Sequence, residues 1–223
     1  MAHAGPEHLD AAYVQRYDVK AGVDPAEAAE TLRRYGLRPE WTLVDLGTGT
    51  GALAIAAAGH CRRVVAVDVS PAMLAIARGK AQAAQAANIE FVRAGFLSYE
   101  HRGEPADAVC SRHALHQLPD FWKGLALARI AAMLRPGGVL WLRDLVYSFD
   151  PSEAADQLDA WLDAAPEDPA VGWTAAELGT HIRDEHSTYS WLLEPMLERV
   201  GFEIVEHEYS PSRTFAAYLC VRR

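Results

Sequence analysis

The chain predicts an α/β protein with a Rossmann-like, doubly wound parallel sheet. Between residues 41 and 147 short apolar runs alternate with helix-patterned stretches, which implies right-handed crossovers and helices on both faces of the sheet. Residues 44–51, Val-Asp-Leu-Gly-Thr-Gly-Thr-Gly, turn an apolar strand directly into an Ala-rich helix. Two segments rich in β-formers, 202–209 and 215–221, flank Ser210-Pro211-Ser212-Arg213 and read as a closing antiparallel hairpin.

The elements follow in order. Two helices are expected ahead of the sheet, one over 7–20 and one opened by Asp24 as N-cap, Pro25 and Glu27 and ended by Gly36. Strand one is 41–46, with its helix over about 50–58. Val64–Val67 is a continuous apolar run ending in Asp68, as in a buried parallel strand. Ser70-Pro71 opens a helix to about Ala87, and 89–92 and 106–110 are strands three and four. A helix over 120–134 stops at Arg135-Pro136-Gly137-Gly138, before a long strand, 139–147. Residues 148–200 are mostly helical, with a capping box at Thr174 and Glu177, and read as an insertion ahead of the hairpin. No repeat or low-complexity linker divides the chain, so 1–223 is expected to be one domain with an N-terminal helical cap over 1–40.

Bulk properties narrow the partners. No 18-residue apolar run is present and Met1–His8 lacks signal-peptide features, so a cytoplasmic protein is expected. Cys61, Cys110 and Cys220 have no zinc spacing and read as buried thiols. The net charge of -9 is uneven: residues 1–149 hold 15 acids and 16 bases, residues 150–223 hold 15 acids and 5 bases. That acidic third disfavours nucleic acid and anionic membranes and leaves a small-molecule substrate as the expectation; oligomeric state, monomer or homodimer, is open.

The glycine turn admits two ligands. Gly47-x-Gly49-x-x-Ala52, with Asp68 about 20 residues on, matches the dinucleotide fingerprint and allows a nicotinamide-dependent oxidoreductase. Asp45, immediately ahead of the glycines, instead offers an acceptor to a cation near where a pyrophosphate would sit. S-adenosylmethionine, with an α-ammonium and a sulfonium, satisfies both features.

Taken with Val67-Asp68-Val69-Ser70-Pro71-Ala72-Met73-Leu74, the segment Ser111-Arg112-His113-Ala114-Leu115-His116-Gln117-Leu118 and the Leu134–Gly138 turn, the chain resembles the class I S-adenosylmethionine-dependent methyltransferases over most of its length. The resemblance implies a seven-stranded sheet in order 3-2-1-4-5-7-6 with strand seven antiparallel. It also implies that Gly47, Thr48, Gly49 and Gly51 pack on the methionine part of the cofactor, that Asp45 holds its ammonium and that Asp68 accepts both ribose hydroxyls. Val69 and Met73 would flank the adenine, Ser111, Arg112 and His113 would line the cofactor near its methyl group, and Tyr17 would close over the carboxylate. Many relatives carry an acid just after strand three; here Gly95 stands in its place, followed by Phe96, with Ser98 as a substitute acceptor.

Methyl transfer needs alignment first and a base only for a protonated nucleophile. His113 and His116, three residues apart on an expected helical turn, are the candidate catalytic bases. They are not read as a metal pair, since no third ligand lies near them in sequence, and no metal is expected. Asp144 could meet an amine or a metal. The polar run 183–191 falls where relatives place substrate-binding insertions, while Trp122, Trp161, Trp173 and Trp191 fit a core better than a pocket. A non-catalytic S-adenosylmethionine binder is a further reading of the same motifs.

Overall fold

The computed structural model describes Arg34 and residues 36–223; the two helices expected ahead of strand one, with Tyr17, lie outside the described residues. Eight strands form one sheet: β1 (Thr42–Leu46), β2 (Arg63–Asp68), β3 (Ile89–Arg93), β4 (Ala106–Arg112), β5 (Leu134–Tyr147), β6 (Thr188–Tyr189), β7 (Phe202–Tyr209) and β8 (Phe215–Arg222). The order is β3-β2-β1-β4-β5-β8-β7, with β6 paired to β5 off this path. The first five strands are parallel, β8 runs antiparallel to β5, and β7 antiparallel to β8. This is the expected order and hairpin. The addition is β6, two residues that extend the end of β5 through Val146 and Tyr147.

Six helices flank the sheet among the described residues: α1 (Ala52–Ala58), α2 (Pro71–Ala83), α3 (Asp120–Met133), α4 (Ala154–Asp163), α5 (Ala175–Asp184) and α6 (Ser190–Arg199). Every residue of β1 is buried, as in a strand covered on both faces. Alternation divides the core into two layers. Val44, Leu46, Val65, Val67, Leu140 and Leu142 point into one layer with α3 and α6, while Leu43, Val64, Ala66, Ala108 and Trp141 point into the other with α1. The local signals hold: Ser70 caps α2 by accepting from the Met73 N–H at 3.2 Å, and Thr174 and Glu177 form a capping box on α5.

The Arg135–Gly138 turn proves to be a bulge inside β5. Leu134 pairs with Ala106 and Val139 with Ala108, so four residues loop out between them, with Gly137 at φ 71°. Arg135 donates to Asp107 Oδ1 at 2.7 Å, and Asp107 Oδ2 accepts from the Thr42 N–H at 2.8 Å. The motif therefore ties β1, β4 and β5 together at the edge away from the strand ends that carry the site.

The 148–200 segment is docked by buried polar contacts. Lys123, 2% exposed, pairs with Asp120 at 2.8 Å and donates to the His186 carbonyl, and the Thr188 hydroxyl donates to Asp120 at 3.2 Å. The His186 N–H donates to the His116 carbonyl at 2.9 Å. Arg213, at the hairpin tip, holds Glu153 through two 3.1 Å contacts. A buried ammonium with such partners pins the 185–188 segment, and removing it orphans them. Lys123→Met is expected to lower stability by about 2–3 kcal/mol, read by urea unfolding; an unchanged midpoint would mean that Lys123 pins nothing.

Candidate active site

The carboxyl ends of β1, β2 and β4 converge, and each brings residues the sequence singled out. After β1 the chain turns through Gly47, Gly49 and Gly51 at φ 76°, 54° and 84°, all in the left-handed region that favours glycine. The Gly47 and Thr48 N–H groups donate to the Val67 carbonyl at 2.9 and 3.0 Å, and the Gly49 N–H donates to Asp68 Oδ2 at 2.8 Å. A Cβ on Gly47 would lie 2.4 Å from Ala114 Cβ, and one on Gly51 would lie 2.9 Å from Ala77 Cβ. Two of the three glycines thus let the loop close against the segment after β4 and against α2.

Asp45 is buried and accepts from the Thr48 hydroxyl at 2.6 Å. Burial raises its pKa to about 6, against the Thr48 bond and the Arg112 charge. Asp68 accepts from Gly49 with one oxygen and from the Ser70 N–H with the other, both at 2.8 Å. A carboxylate has about four lone-pair sites, so a diol can share these oxygens. Val69 follows Asp68, and Met73 is buried on α2 behind it.

Gly95 has a packing reason. A Cβ there would meet Val69 Cγ1 at 2.8 Å, and the Gly95 N–H donates to Ser98 Oγ at 3.0 Å. An acid at this position is incompatible with Val69 where it stands. Phe96 packs against the core layer of α3 and α6.

At the end of β4, Ser111 is fully buried and its hydroxyl has no hydrogen-bond partner among the described residues; His113 Nδ1 is likewise buried and unpartnered there. His113 adopts φ 51°, and its N–H donates to the Arg143 carbonyl at 2.9 Å. A non-glycine residue held there is strained, and strain of this kind clusters at functional sites. Burial pushes the His113 imidazole down to about 3, so it is neutral. The two orphaned polar atoms and the glycine cradle fit a nucleoside cofactor bearing polar groups.

His116 faces elsewhere. The expected shared helical turn is absent: only Leu115–Gln117 form a 3-10 turn, and His113 precedes it in the left-handed conformation. His113 sets its ring edge-on to Phe215, with centroids 5.4 Å apart, whereas His116 is buried with Nδ1 2.5 Å from Asp144 Oδ1 and Nε2 3.1 Å from Glu185 Oε2. Burial alone would lower the His116 pKa; Asp144 and Glu185 outweigh it and bring it to about 9. Asp144 has no capacity left for a ligand, since it also accepts from the Leu115, His116 and Leu145 N–H groups at 2.7, 3.1 and 2.8 Å. It orients His116.

Glu185 lies in the polar run the sequence marked. His181, one turn earlier on α5, did not stand out there and contacts the same Glu185 oxygen. An i, i+4 His-x-x-x-Glu pair was the available signal. Ser187 and Thr188 do not cap a helix, because α6 begins at Ser190 with no side-chain cap. None of the four tryptophans read as core is buried: Trp122 and Trp191 are 38% and 52% exposed, and half-buried Trp161 stands edge-on to both His181 and Phe215. The buried tryptophans are Trp41 and Trp141. No described helix is long and apolar enough to cross a membrane.

Comparison with known proteins agrees with this cleft. The sequence model of the methyltransferase domain family matches residues 43–138, which span nearly all of β1 to β4 and the described residues expected at the cofactor. The chain is similar to the ubiquinone/menaquinone biosynthesis C-methyltransferase UbiE of Brucella anthropi, 28% identical over 190 residues that cover 76% of this chain and 66% of that one. The chain spans about two thirds of the length of such curated relatives, 65% for the Brucella suis protein. Its fold is similar to a methyltransferase structure from Bacillus halodurans, with a TM-score of 0.68 at 18% identity, covering 88% of this chain and 98% of that one. It is also similar to the N-methyltransferase NodS of Bradyrhizobium japonicum, solved with S-adenosylhomocysteine, with a TM-score of 0.60 at 18% identity, covering 88% of this chain and 86% of that one. These matches together support a class I S-adenosylmethionine-dependent methyltransferase, with S-adenosylmethionine as the cofactor.

Proposed function

We propose that this member of the class I methyltransferases transfers a methyl group to a planar, largely apolar small molecule by in-line displacement. The observation that carries the reading is the convergence of the glycine loop, Asp45, Asp68 and the unpartnered polar atoms of Ser111 and His113 at one end of the parallel strands. S-adenosylmethionine supplies a methyl group activated on a sulfonium. Asp45 takes its ammonium, directly or through water, and Asp68 accepts its ribose hydroxyls. Val69 and Met73 flank the adenine, with Gly95 and Phe96 at its far edge. Ser111, Arg112 and His113 line the methyl side.

His113, neutral and unpartnered at Nδ1 among the described residues, orients the acceptor by hydrogen bonding; the burial that holds its pKa at about 3 makes it a weak base, so alignment carries the transfer. Asp144 and Glu185 hold the proton on His116 in the metal-free network, which removes it as a base near neutral pH. Half-buried aromatic rings beside His113 and His181, Phe215 and Trp161, support a flat acceptor. The acidic C-terminal third supports a small molecule over nucleic acid, and three free, buried cysteines support a reducing, cytoplasmic setting. The 148–200 insertion completes the same domain in this reading.

The test is label transfer. Methyl-labelled cofactor, the purified chain and a cell extract should yield label in the small-molecule fraction. Label confined to macromolecules would sink the substrate class, and no transfer to any fraction would favour a non-catalytic binder.

A pH dependence follows from Asp45. Its carboxyl, raised to about 6, must be ionised to meet the ammonium. Above pH 6 it already is; below, binding must expel a proton. Cofactor affinity is therefore expected to be flat from pH 7 to 8 and to fall below pH 6, approaching about tenfold per pH unit. Flat affinity down to pH 5 would remove Asp45 from the ammonium site.

A further inference from the structure

We propose that His116, His181 and Glu185 bind one divalent transition-metal ion, zinc foremost, where α5 meets the end of β4. One ligand atom from each residue lies within 4.8 Å of the others. His116 Nε2 and His181 Nδ1 both face Glu185 Oε2, and that oxygen is buried without an aligned hydrogen bond.

The remaining nitrogen of each ring is already held. His116 Nδ1 meets Asp144 at 2.5 Å, and His181 Nε2 meets the Ser187 hydroxyl at 3.0 Å. Ligating histidines are held in this way: the outer partner fixes the tautomer and aims the free lone pair at the ion. The Gln117 amide nitrogen stands 3.1 Å from His116 Nε2, where an ion would displace it.

Charge supports the same assignment. Asp144 and Glu185 bring two negative charges into a buried site, and a dication between two neutral imidazoles balances them. Two nitrogens and one carboxylate make a borderline donor set, which suits zinc and its first-row neighbours and not magnesium or calcium. Bonds of about 2.0–2.2 Å separate ligand atoms by roughly 3.4 Å. The Glu185–His181 contact must therefore open, while the two rings, with centroids 5.1 Å apart, already stand near the roughly 5.2 Å that two imidazoles on one tetrahedral ion take. Three protein ligands leave a coordination position open. That this position holds an oxygen or nitrogen of the methyl acceptor rests on the methyl-transfer reading; the site itself rests on the geometry above.

The sequence hid this site because its ligands are far apart: one follows β4 and two lie at the end of α5. The test is metal uptake by the full chain, stripped by chelator and titrated with zinc and with cobalt(II) in the absence of cofactor and acceptor. The expected result is one ion per chain, visible d–d bands for cobalt, and a rise in Tm on adding zinc. His181→Ala and Glu185→Gln should each weaken uptake by roughly 100-fold or more. His207→Ala, on the exposed face of β7, should leave it unchanged. No uptake by the folded wild-type chain, or uptake retained in both variants, would overturn the proposal. Neither result depends on cofactor binding, so failure here and failure of the methyl-transfer reading are separable.

Discussion

Asp68→Ala is expected to weaken S-adenosylmethionine binding by about 100-fold. The carboxylate at the end of β2 would make charge-assisted hydrogen bonds to both ribose hydroxyls, each worth about 1.5–3 kcal/mol. About 2.8 kcal/mol corresponds to a 100-fold change in Kd. Asp68 also accepts from Gly49 and Ser70 at 2.8 Å, so alanine loosens the glycine loop at the same time. Asp68→Asn separates the two effects, because its amide keeps one acceptor for those N–H groups. Stability near wild type with affinity still reduced at least about tenfold would assign the loss to the ribose. If both variants bind as wild type does, Asp68 is a loop clamp only.

Gly47→Ala is the second large effect. At φ 76° a side chain costs about 1–2 kcal/mol by itself, and the new Cβ would stand 2.4 Å from Ala114 Cβ. Ala114 follows β4 directly, so relief of the clash pushes the glycine loop away from Ser111–His113 and opens the cleft. The expected outcome is a stability loss of about 2–4 kcal/mol and cofactor affinity reduced beyond detection. Gly103→Ala is the control: its φ of 89° is equally left-handed, but nothing among the described residues lies within 4 Å of its Cβ. It should cost about 1–2 kcal/mol and leave binding untouched. Equal effects at the two positions would mean that backbone conformation alone, and not closure on Ala114, explains Gly47.

The fold was legible because its signals are local. A buried strand reads as an unbroken apolar run, a cap as Ser70-Pro71, a hairpin as two β-rich segments about a short turn. What escaped is what tertiary context decides. Two residues such as Thr188 and Tyr189 carry no strand signal and pair only because α5 delivers them beside β5. The bulge at 135–138 reads as a turn in sequence because its flanking pairs, Leu134 with Ala106 and Val139 with Ala108, exist only once β4 is in place.

The site divides along the same line. Most of the residues expected at the cofactor sit at or just after strand ends, where the topology brings them together. The histidines do not follow so simply. Spacing suggests that His113 and His116 share a face, yet the left-handed backbone at His113 turns them toward different partners, Phe215 and the Asp144–Glu185 pair. Lys123 and Asp120 look like an ordinary exposed i, i+3 pair on α3; their part in anchoring the 185–188 segment depends on a contact 63 residues away. Gly95 reads as a missing acid, and only the position of Val69 shows why glycine stands there.

The most direct measurement is a calorimetric titration of the purified chain with S-adenosylmethionine, S-adenosylhomocysteine and NAD in parallel. The account predicts micromolar binding of the first two, lost in Asp68→Ala, and no heat from NAD. Binding of NAD alone would contradict it and make the glycine loop a dinucleotide site.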